Sequence, residues 1–323
     1  MKITRCIASL SVLAASAFFT IDAAAQAFPT KPLRLVVPYP PGGATDIISR
    51  TLAQKMSDDF RQQVLTDNRG GGGQIIGTEI VAKSPPDGHT FLLASVTHSI
   101  NPSLVPQLPY DTVRDFTSIS FVGSSPLVLV VHPDVPARNL KEFIALAKAQ
   151  PGKLNYASSG NGSGGHLAME VLKSMVGLDI VHVPYKGGGP AIVDLIAGQA
   201  QAMITSPIAV VSFARAGKLR LLASTGKARS AKLADVPTVA ESGVPGYESS
   251  LWYAIVAPRG VPRDVVTRLN TSIRGALAAA DLRERFDSAD IEAQATSPEE
   301  LTAYINSEIA KWKNVIEKAN IRM

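Results

Sequence analysis

Four loops of this chain carry residues able to hold an anion without a metal. The first runs Val36-Val37-Pro38-Tyr39-Pro40-Pro41-Gly42-Gly43-Ala44-Thr45-Asp46, between a β-rich run and an amphipathic helix starting near Thr45. Such a turn leaves backbone N–H groups pointing out of a helix N-terminus, where a negative group can bind. It lacks the lysine and the spacing of a phosphate-binding P-loop. The second, Ala157-Ser158-Ser159-Gly160-Asn161-Gly162-Ser163-Gly164-Gly165-His166, offers hydroxyls, an amide and glycine N–H groups before a helix near Leu167. The third, Ala94 to Pro102, contains Ser95, Thr97 and His98; the fourth, Val183 to Pro190, contains Tyr185 and Lys186 before three glycines. The plainer reading of each is a tight strand-to-helix connection. Recurrence of the pattern, and the density of small donors in the second loop, favour a binding site.

Catalytic chemistry finds little support. No Gly-x-Ser-x-Gly elbow surrounds Ser95, Ser159 or Ser163. The five histidines show no metal-ligand spacing, and no catalytic or metal-binding residue is assigned. His98 and His166 are candidates for ligand contact, against a structural role at a loop or helix start. Gly71-x-Gly73-x-x-x-Gly77 only superficially matches a dinucleotide loop, so no cofactor is expected. Asp194 reads as a helix surface charge, and Trp252 either as core or as a cleft wall.

The elements that position these loops alternate. Candidate strands are Leu33–Val37, Gln63–Thr66, Thr90–Ala94, Leu127–His132, Leu154–Ala157, Ile180–Val183, Ala202–Thr205 and Leu219–Ala223, with apolar residues at helical spacing between them. Alternation of this kind predicts parallel sheets with helices on both faces. All four loops then sit at strand C-terminal ends, where open α/β sheets bind ligands. Pro102 to Val131 lacks clear helices and reads as a passage between domains; Ser249 to Pro258 reads as the return. The C-terminal segments Arg263–Ala280 and Pro298–Lys318 are helical, the last with a core stripe through Leu301, Ile305, Ile309, Trp312 and Ile316. The expected domains are a first lobe of residues 26–127 and 250–323, and a second of 128–249.

Residues 1–25 read as a secretory signal, with Lys2 and Arg5 before an apolar stretch and cleavage after Ala25 or Ala27. The only cysteine, Cys6, leaves with it, so no disulfide is expected. Lys2, Arg5 and Asp22 sum to +1, which leaves +4 of the chain's formal +5. The basic residues are dispersed and aromatics few, which argues against a nucleic-acid surface.

Together the four loops resemble a known family. The chain is similar to Bug-type extracytoplasmic solute receptors of the tripartite tricarboxylate transporter system. The resemblance covers the mature chain. It rests on Phe28-Pro29-Thr30-Lys31-Pro32 with Val37-Pro38-Tyr39-Pro40-Pro41-Gly42-Gly43, on Asn101-Pro102-Ser103-Leu104, and on Leu108-Pro109-Tyr110-Asp111. Further markers are Asn155-Tyr156-Ala157-Ser158-Ser159-Gly160, His182-Val183-Pro184-Tyr185-Lys186-Gly187, Asp235-Val236-Pro237-Thr238 and Trp252-Tyr253.

The resemblance implies a two-lobed α/β periplasmic-binding-protein fold of type II, with two sheets joined by two crossing segments. It implies that Tyr39, Gly43, Ala44, Thr45 and Asp46, with Ser158, Ser159, Gly160, Asn161, Gly162 and Ser163, grip a carboxylate through backbone groups and water. Thr97, His98 and Tyr185 would line the remainder, with His166 and Ser206 as further candidates. Two departures stand out: Tyr39 where phenylalanine is frequent, and Ile204-Thr205-Ser206 where relatives carry an Asp-Asn pair.

The function expected is that of a monomeric periplasmic receptor that closes on a small organic acid and delivers it to membrane permease subunits. A secreted hydrolase or transferase using Ser159, Ser163 and His166 is the alternative from another class. A third is a ligand-presenting sensory partner.

Overall fold

The computed structural model describes residues 28–318, apart from 289, together with residue 321. The expected signal at residues 1–25 and its cysteine lie outside these residues.

Two sheets organise the chain. In the first lobe, β1 (Leu33–Val37) pairs in parallel with β2 (Val64–Asn68) and β3 (Thr90–Ser95). Helices α1 (Ala44–Phe60), α2 (Ile75–Ala82) and α3 (Thr97–Leu104) connect these strands or follow them. The long strand β4 (Phe116–Pro126) ends this part of the lobe, and after Leu127 the chain enters β5 (Val128–Val131) of the second sheet.

The second lobe runs through α4 (Leu140–Ala149), β6 (Asn155–Ser158), α5 (Gly164–Val176), β7 (Val181–Pro184), α6 (Gly188–Ile196), β8 (Ala202–Thr205), α7 (Pro207–Arg215) and β9 (Arg220–Ser224). The return strand β10 (Ser250–Pro258) then threads between β3 and β4. Helices α8 (Arg263–Ala278) and α9 (Ala280–Ser288), strand β11 (Glu292–Ala293) and helix α10 (Pro298–Lys318) complete the first lobe. The sheet orders are β11-β4-β10-β3-β1-β2 and β7-β6-β8-β5-β9.

Both sheets are mixed, which corrects the expectation of purely parallel ones. β10 is antiparallel to β3 and β4, and β5 is antiparallel to β8 and β9. β10 and β5 arrive from the other lobe rather than over a helix, so no crossover forces them parallel, and the two-residue β11 adds a further antiparallel edge on β4. Phe116–Pro126, expected only as a passage, is the longest strand described.

Each sheet is buried on both faces, as its apolar runs require. Leu33, Leu35 and Val37 pack with Ile48, Leu52 and Met56 of α1 and with Leu269 and Ile273 of α8. Val36 and Leu92 face Ile100 of α3 and Leu301, Ile305 and Trp312 of α10 on the opposite side. Trp252 belongs to that second core rather than to a cleft wall: it is fully buried, and its indole donates to Glu308 at 3.1 Å. Trp312 donates to the same carboxylate oxygen at 3.1 Å, so the buried Glu308 satisfies two indoles at once. In the second lobe, α4 and α5 cover one face through Phe143, Met169 and Leu172, while α6 and α7 cover the other through Ile192, Leu195 and Val210. Loops that follow β1, β3, β6 and β8 are thereby turned toward one another between the lobes.

Candidate functional site

The lobes meet backbone to backbone. A methyl carbon added at Gly43 would lie 3.7 Å from the Cα of Gly188, and one added at Gly189 only 2.9 Å from the carbonyl oxygen of Pro41. This close approach brings the first turn of α1 against the first turn of α6. Neither helix has a side-chain cap, since their N-cap residues are Gly43 and Gly187. Ser206, the N-cap of α7, also leaves its helix without a side-chain cap. Three helix N-termini, each with a partial positive charge and unsatisfied N–H groups, therefore converge at the junction.

Two cavities occupy this junction. The larger, of about 220 Å³, lies between Tyr39, Gly71–Gln74, Ser159–Asn161 and Tyr185. The smaller, of about 40 Å³, is walled by Ala44, Thr45, Gly188, Ser206 and Tyr253. Tyr39 and Ser159 belong to both walls, so the cavities share a boundary. Lys186 is the only charged residue of either lining.

Two hydroxyls at the smaller cavity are conspicuous. Ser206 and Tyr253 are each 1 % exposed, and neither hydroxyl makes a hydrogen bond of acceptable geometry among the described residues. A buried polar group left unpaired costs about 1–3 kcal/mol, so such groups point to a missing partner. Burial, reinforced by the neighbouring Tyr39 and opposed by Ser206, pushes the Tyr253 phenol above its ordinary range. It therefore stays protonated and available as a donor. The Tyr39 hydroxyl lies 3.3 Å from Ser95 Oγ and 3.4 Å from Thr97 Oγ1.

The loop from Ser158 to Ser163 divides its groups between inside and outside. Ser159, Gly160 and Asn161 face the larger cavity. Ser158 is fully buried, with its hydroxyl 2.6 Å from His182 Nε2. Ser163 caps its own helix, accepting from the His166 N–H at 3.4 Å. The Gly162 carbonyl accepts from Thr97 Oγ1 of the other lobe at 3.2 Å.

Several expected contacts are turned away from the cavities. The Asp46 carboxylate accepts from Gly42 N–H at 3.1 Å, Arg50 Nε at 3.0 Å and Asn68 Nδ2 at 3.0 Å. Burial raises its pKa, but these bonds outweigh that and hold it below the usual range. Asp46 thus shapes the first loop from behind. His98, in the first turn of α3, sets its ring edge-on to Phe116 at 5.0 Å, in a separate small cavity with Thr302. Neither ring nitrogen has a hydrogen bond of good geometry among the described residues, and burial lowers its pKa to about 4, opposed by the nearby Thr112 backbone. His166 also lies behind its loop, stacked on His182. Tyr185 lines the larger cavity, but its hydroxyl donates to Asp194 at 2.7 Å; burial and that carboxylate push its pKa up to about 12.

Other wall residues went unassigned in the sequence. Gly71 to Gln74 stood out only through a superficial dinucleotide-loop match, although the four consecutive glycines Gly70–Gly73 before a helix are themselves a sign of close backbone approach. Tyr253 was only a motif marker. Strand parity could have found it, because Trp252 and Tyr253 must point to opposite faces of β10.

The geometry does not assemble the alternative enzyme. Ser163 Oγ is a helix cap, and His166 Nδ1 accepts from Gly162 N–H at 3.2 Å, so neither serves the other as nucleophile and base. Among the described residues, no group of three or more His, Cys, Asp or Glu side chains is placed to hold a metal. No described helix is long and apolar enough to cross a membrane.

The family model described as "Tripartite tricarboxylate transporter family receptor" matches residues 48–321. The chain belongs to this family. The receptor is 41% identical over 292 residues to the "UPF0065 protein in tcbD-tcbE intergenic region" of Pseudomonas sp. (strain P51), covering 90% of this chain and 87% of that one. It is 36% identical to Protein BugT of Bordetella pertussis (strain Tohama I), over 100% of both chains. Among solved structures, "R. palustris Rpa4515 with adipate" superposes with a TM-score of 0.89 at 35% identity, over 91% of the receptor and 99% of that chain. "MatC (Rpa3494) from Rhodopseudomonas palustris with bound malate" gives 0.86 at 30% identity, over 90% and 100%. The family is one of periplasmic solute-binding receptors that work with a tripartite transporter, not of enzymes.

Proposed function

We propose that the receptor closes on a small organic acid, with a carboxylate seated where α1, α6 and α7 point their N-termini. The observation that carries this reading is the convergence of three uncapped termini on a cavity walled by the unpartnered hydroxyls of Ser206 and Tyr253. Like-signed helix ends brought together repel, and an anion between them turns that repulsion into attraction. The adipate and malate of the two superposed relatives are both small dicarboxylates, which supports the same class here.

In this reading Tyr39, Gly43, Ala44, Thr45, Ser159, Gly160, Asn161, Tyr185, Ser206 and Tyr253 face the solute. Ser158, Gly162, Ser163, Thr97, Asp46 and His166 hold the facing groups in place. His98 serves the first lobe's packing. The lobes comprise residues 26–127 with 250–323, and residues 128–249, and close about the two crossings. The chain is exported through a cleaved signal, acts as a monomer and passes its solute to the permease subunits of a tripartite transporter.

A thermal-shift and calorimetric screen of dicarboxylates, tricarboxylates, amino acids and aromatic acids tests the reading, with the diamide of each diacid as control. An acid that raises the melting temperature while its amide does not is the expected result. Stabilisation by amides and acids alike, or by uncharged solutes only, would overturn it.

A further inference from the structure

The strand and helix behind the Ser158–Ser163 loop carry a column of rings that the binding site does not use. His166 of α5 stacks on His182 of β7 with centroids 4.1 Å apart and planes 16° apart. His182 stacks in turn on Tyr156 of β6 at 4.8 Å and 18°. Each histidine holds a different point of the loop. His182 Nε2 is 2.6 Å from Ser158 Oγ, which also accepts from the Gly160 N–H at 3.1 Å. His166 Nδ1 accepts from the Gly162 N–H at 3.2 Å. Gly162 is the residue whose carbonyl meets Thr97 across the lobes.

This bonding sets the state of the rings. Nδ1 of His166 must be bare to accept, so its proton resides on Nε2. A second proton would place a donor against the Gly162 donor and break the bond. It would also place a charge on a ring stacked against another imidazole. We propose that His166 and His182 are positioning residues for the solute-gripping loop, a clasp that works only while the His166 ring is uncharged. The inference rests on the reading that this loop grips the solute, and it adds how the loop is held.

The surroundings fit this role. Burial is the main cause that lowers His166 to about 4 and His182 to about 3, the latter also through His166. Glu170 of α5 favours protonation of both rings and Lys173 of the same helix opposes it. Those two charges are paired at 2.7 Å, and the Tyr156 hydroxyl donates to Glu170 at 2.5 Å. The clasp consequently keeps one form between about pH 5 and 8, a range in which an exposed histidine with a pKa of about 6.5 would change charge.

Nitrogen-15 NMR on the ligand-free receptor tests the clasp without needing the solute. The expected result is a His166 tautomer with bare Nδ1 and a Gly162 amide protected from hydrogen exchange. That protection should be lost as pH falls toward the His166 midpoint, near pH 4, and stay lost below it. His166→Asn, whose amide oxygen can accept near the Nδ1 position, should keep Gly162 protected without the acid transition. His166→Leu should lose the protection at every pH; if it does not fold, the asparagine variant alone decides.

Adipate supplies the binding arm. Affinity of wild type relative to His166→Asn should be constant above about pH 5 and drop about fourfold by pH 3.5, a ratio from which the ligand's own titration cancels. A Gly162 amide whose exchange ignores both pH and His166 would overturn the proposal, as would a constant affinity ratio. If adipate fails to bind, the amide measurements still decide the clasp, and the loss falls on the reading of the solute.

Discussion

Thr97 Oγ1 and the carbonyl oxygen of Gly162 lie 3.2 Å apart, joining the start of α3 in one lobe to the glycine loop of the other. Thr97 is fully buried at this point, so the bond forms in a setting from which water is excluded. It belongs to closure rather than to the folding of either lobe. Thr97→Val removes the donor at nearly constant shape. Calorimetry should show affinity for the solute weakened by about 0.5–1.5 kcal/mol, the net value of one hydrogen bond, with an unchanged ligand-free melting temperature.

Gly189 gives a sharper test of closure. Its added methyl would meet Pro41 O at 2.9 Å only when the lobes are together. Gly189→Ala should fold normally, and its position in the first turn of α6 even favours alanine locally. Solute affinity should fall about tenfold or more, and small-angle scattering should show the ligand-bound variant more open than wild type. Undiminished affinity would remove this contact from the closed state.

Tyr253→Phe separates a ligand contact from a structural one by the sign of its effect. The hydroxyl is unpartnered and buried, so deleting it should leave the ligand-free protein as stable or up to about 1 kcal/mol more stable. Binding should weaken by about 1 kcal/mol. Denaturation and calorimetry on the same preparation read both quantities, and a variant less stable with unchanged affinity would assign the phenol to packing.

Charge is sparse at the site, which ranks two further variants. Lys186 is exposed and is the lone cation of the linings, whereas Ser159 belongs to both cavities. Lys186→Met should weaken binding less than Ser159→Val. Raising salt from low to physiological strength should change affinity only modestly, because an anion held by buried dipoles is poorly screened. The reverse ranking, with steep salt dependence, would mean that an ion pair governs recognition.

His98 predicts a pH effect on stability, separate from binding. Its folded pKa of about 4 lies below the unfolded value of about 6.5, so the fold favours the neutral ring. The contribution is present above about pH 6.5 and is lost as pH falls toward 4. The difference corresponds to about 3 kcal/mol. Urea denaturation of wild type and His98→Leu at pH 7 and pH 4.5 should show the variant losing less stability on acidification.

Local pattern carried much of the fold. Leu33–Val37, Ala202–Thr205 and Pro298–Lys318 have the limits that their periodicity implies, because each is an apolar run or stripe ended by turn residues. Strand direction was not legible. Val128–Val131 and Ser250–Pro258 look like any buried strands, and only their arrival from the other lobe makes them antiparallel. Phe116–Pro126 was missed because its serines blur the alternation. At the site, residue types pointed to loops but not to faces. His98, His166 and Asp46 are polar groups in or beside the candidate loops, and nothing in their spacing says that they turn to Phe116, His182 and Arg50 rather than to the cavities. Tyr253 shows the converse: an apolar-looking strand residue whose one polar atom emerges between the lobes.

The meeting of Gly43 with Gly188 separates two tasks that a single surface usually combines. A contact made of main chain has no rotamers to freeze and no side-chain identity to preserve. Under the proposed function, closing power and choice of cargo can then drift independently: the atoms that shut the receptor are encoded by absence of side chains, and those proposed to select are encoded by Tyr39, Asn161, Ser206 and Tyr253. Exchanging the latter set is a small inherited change, so new nutrients come within reach of an unchanged machine.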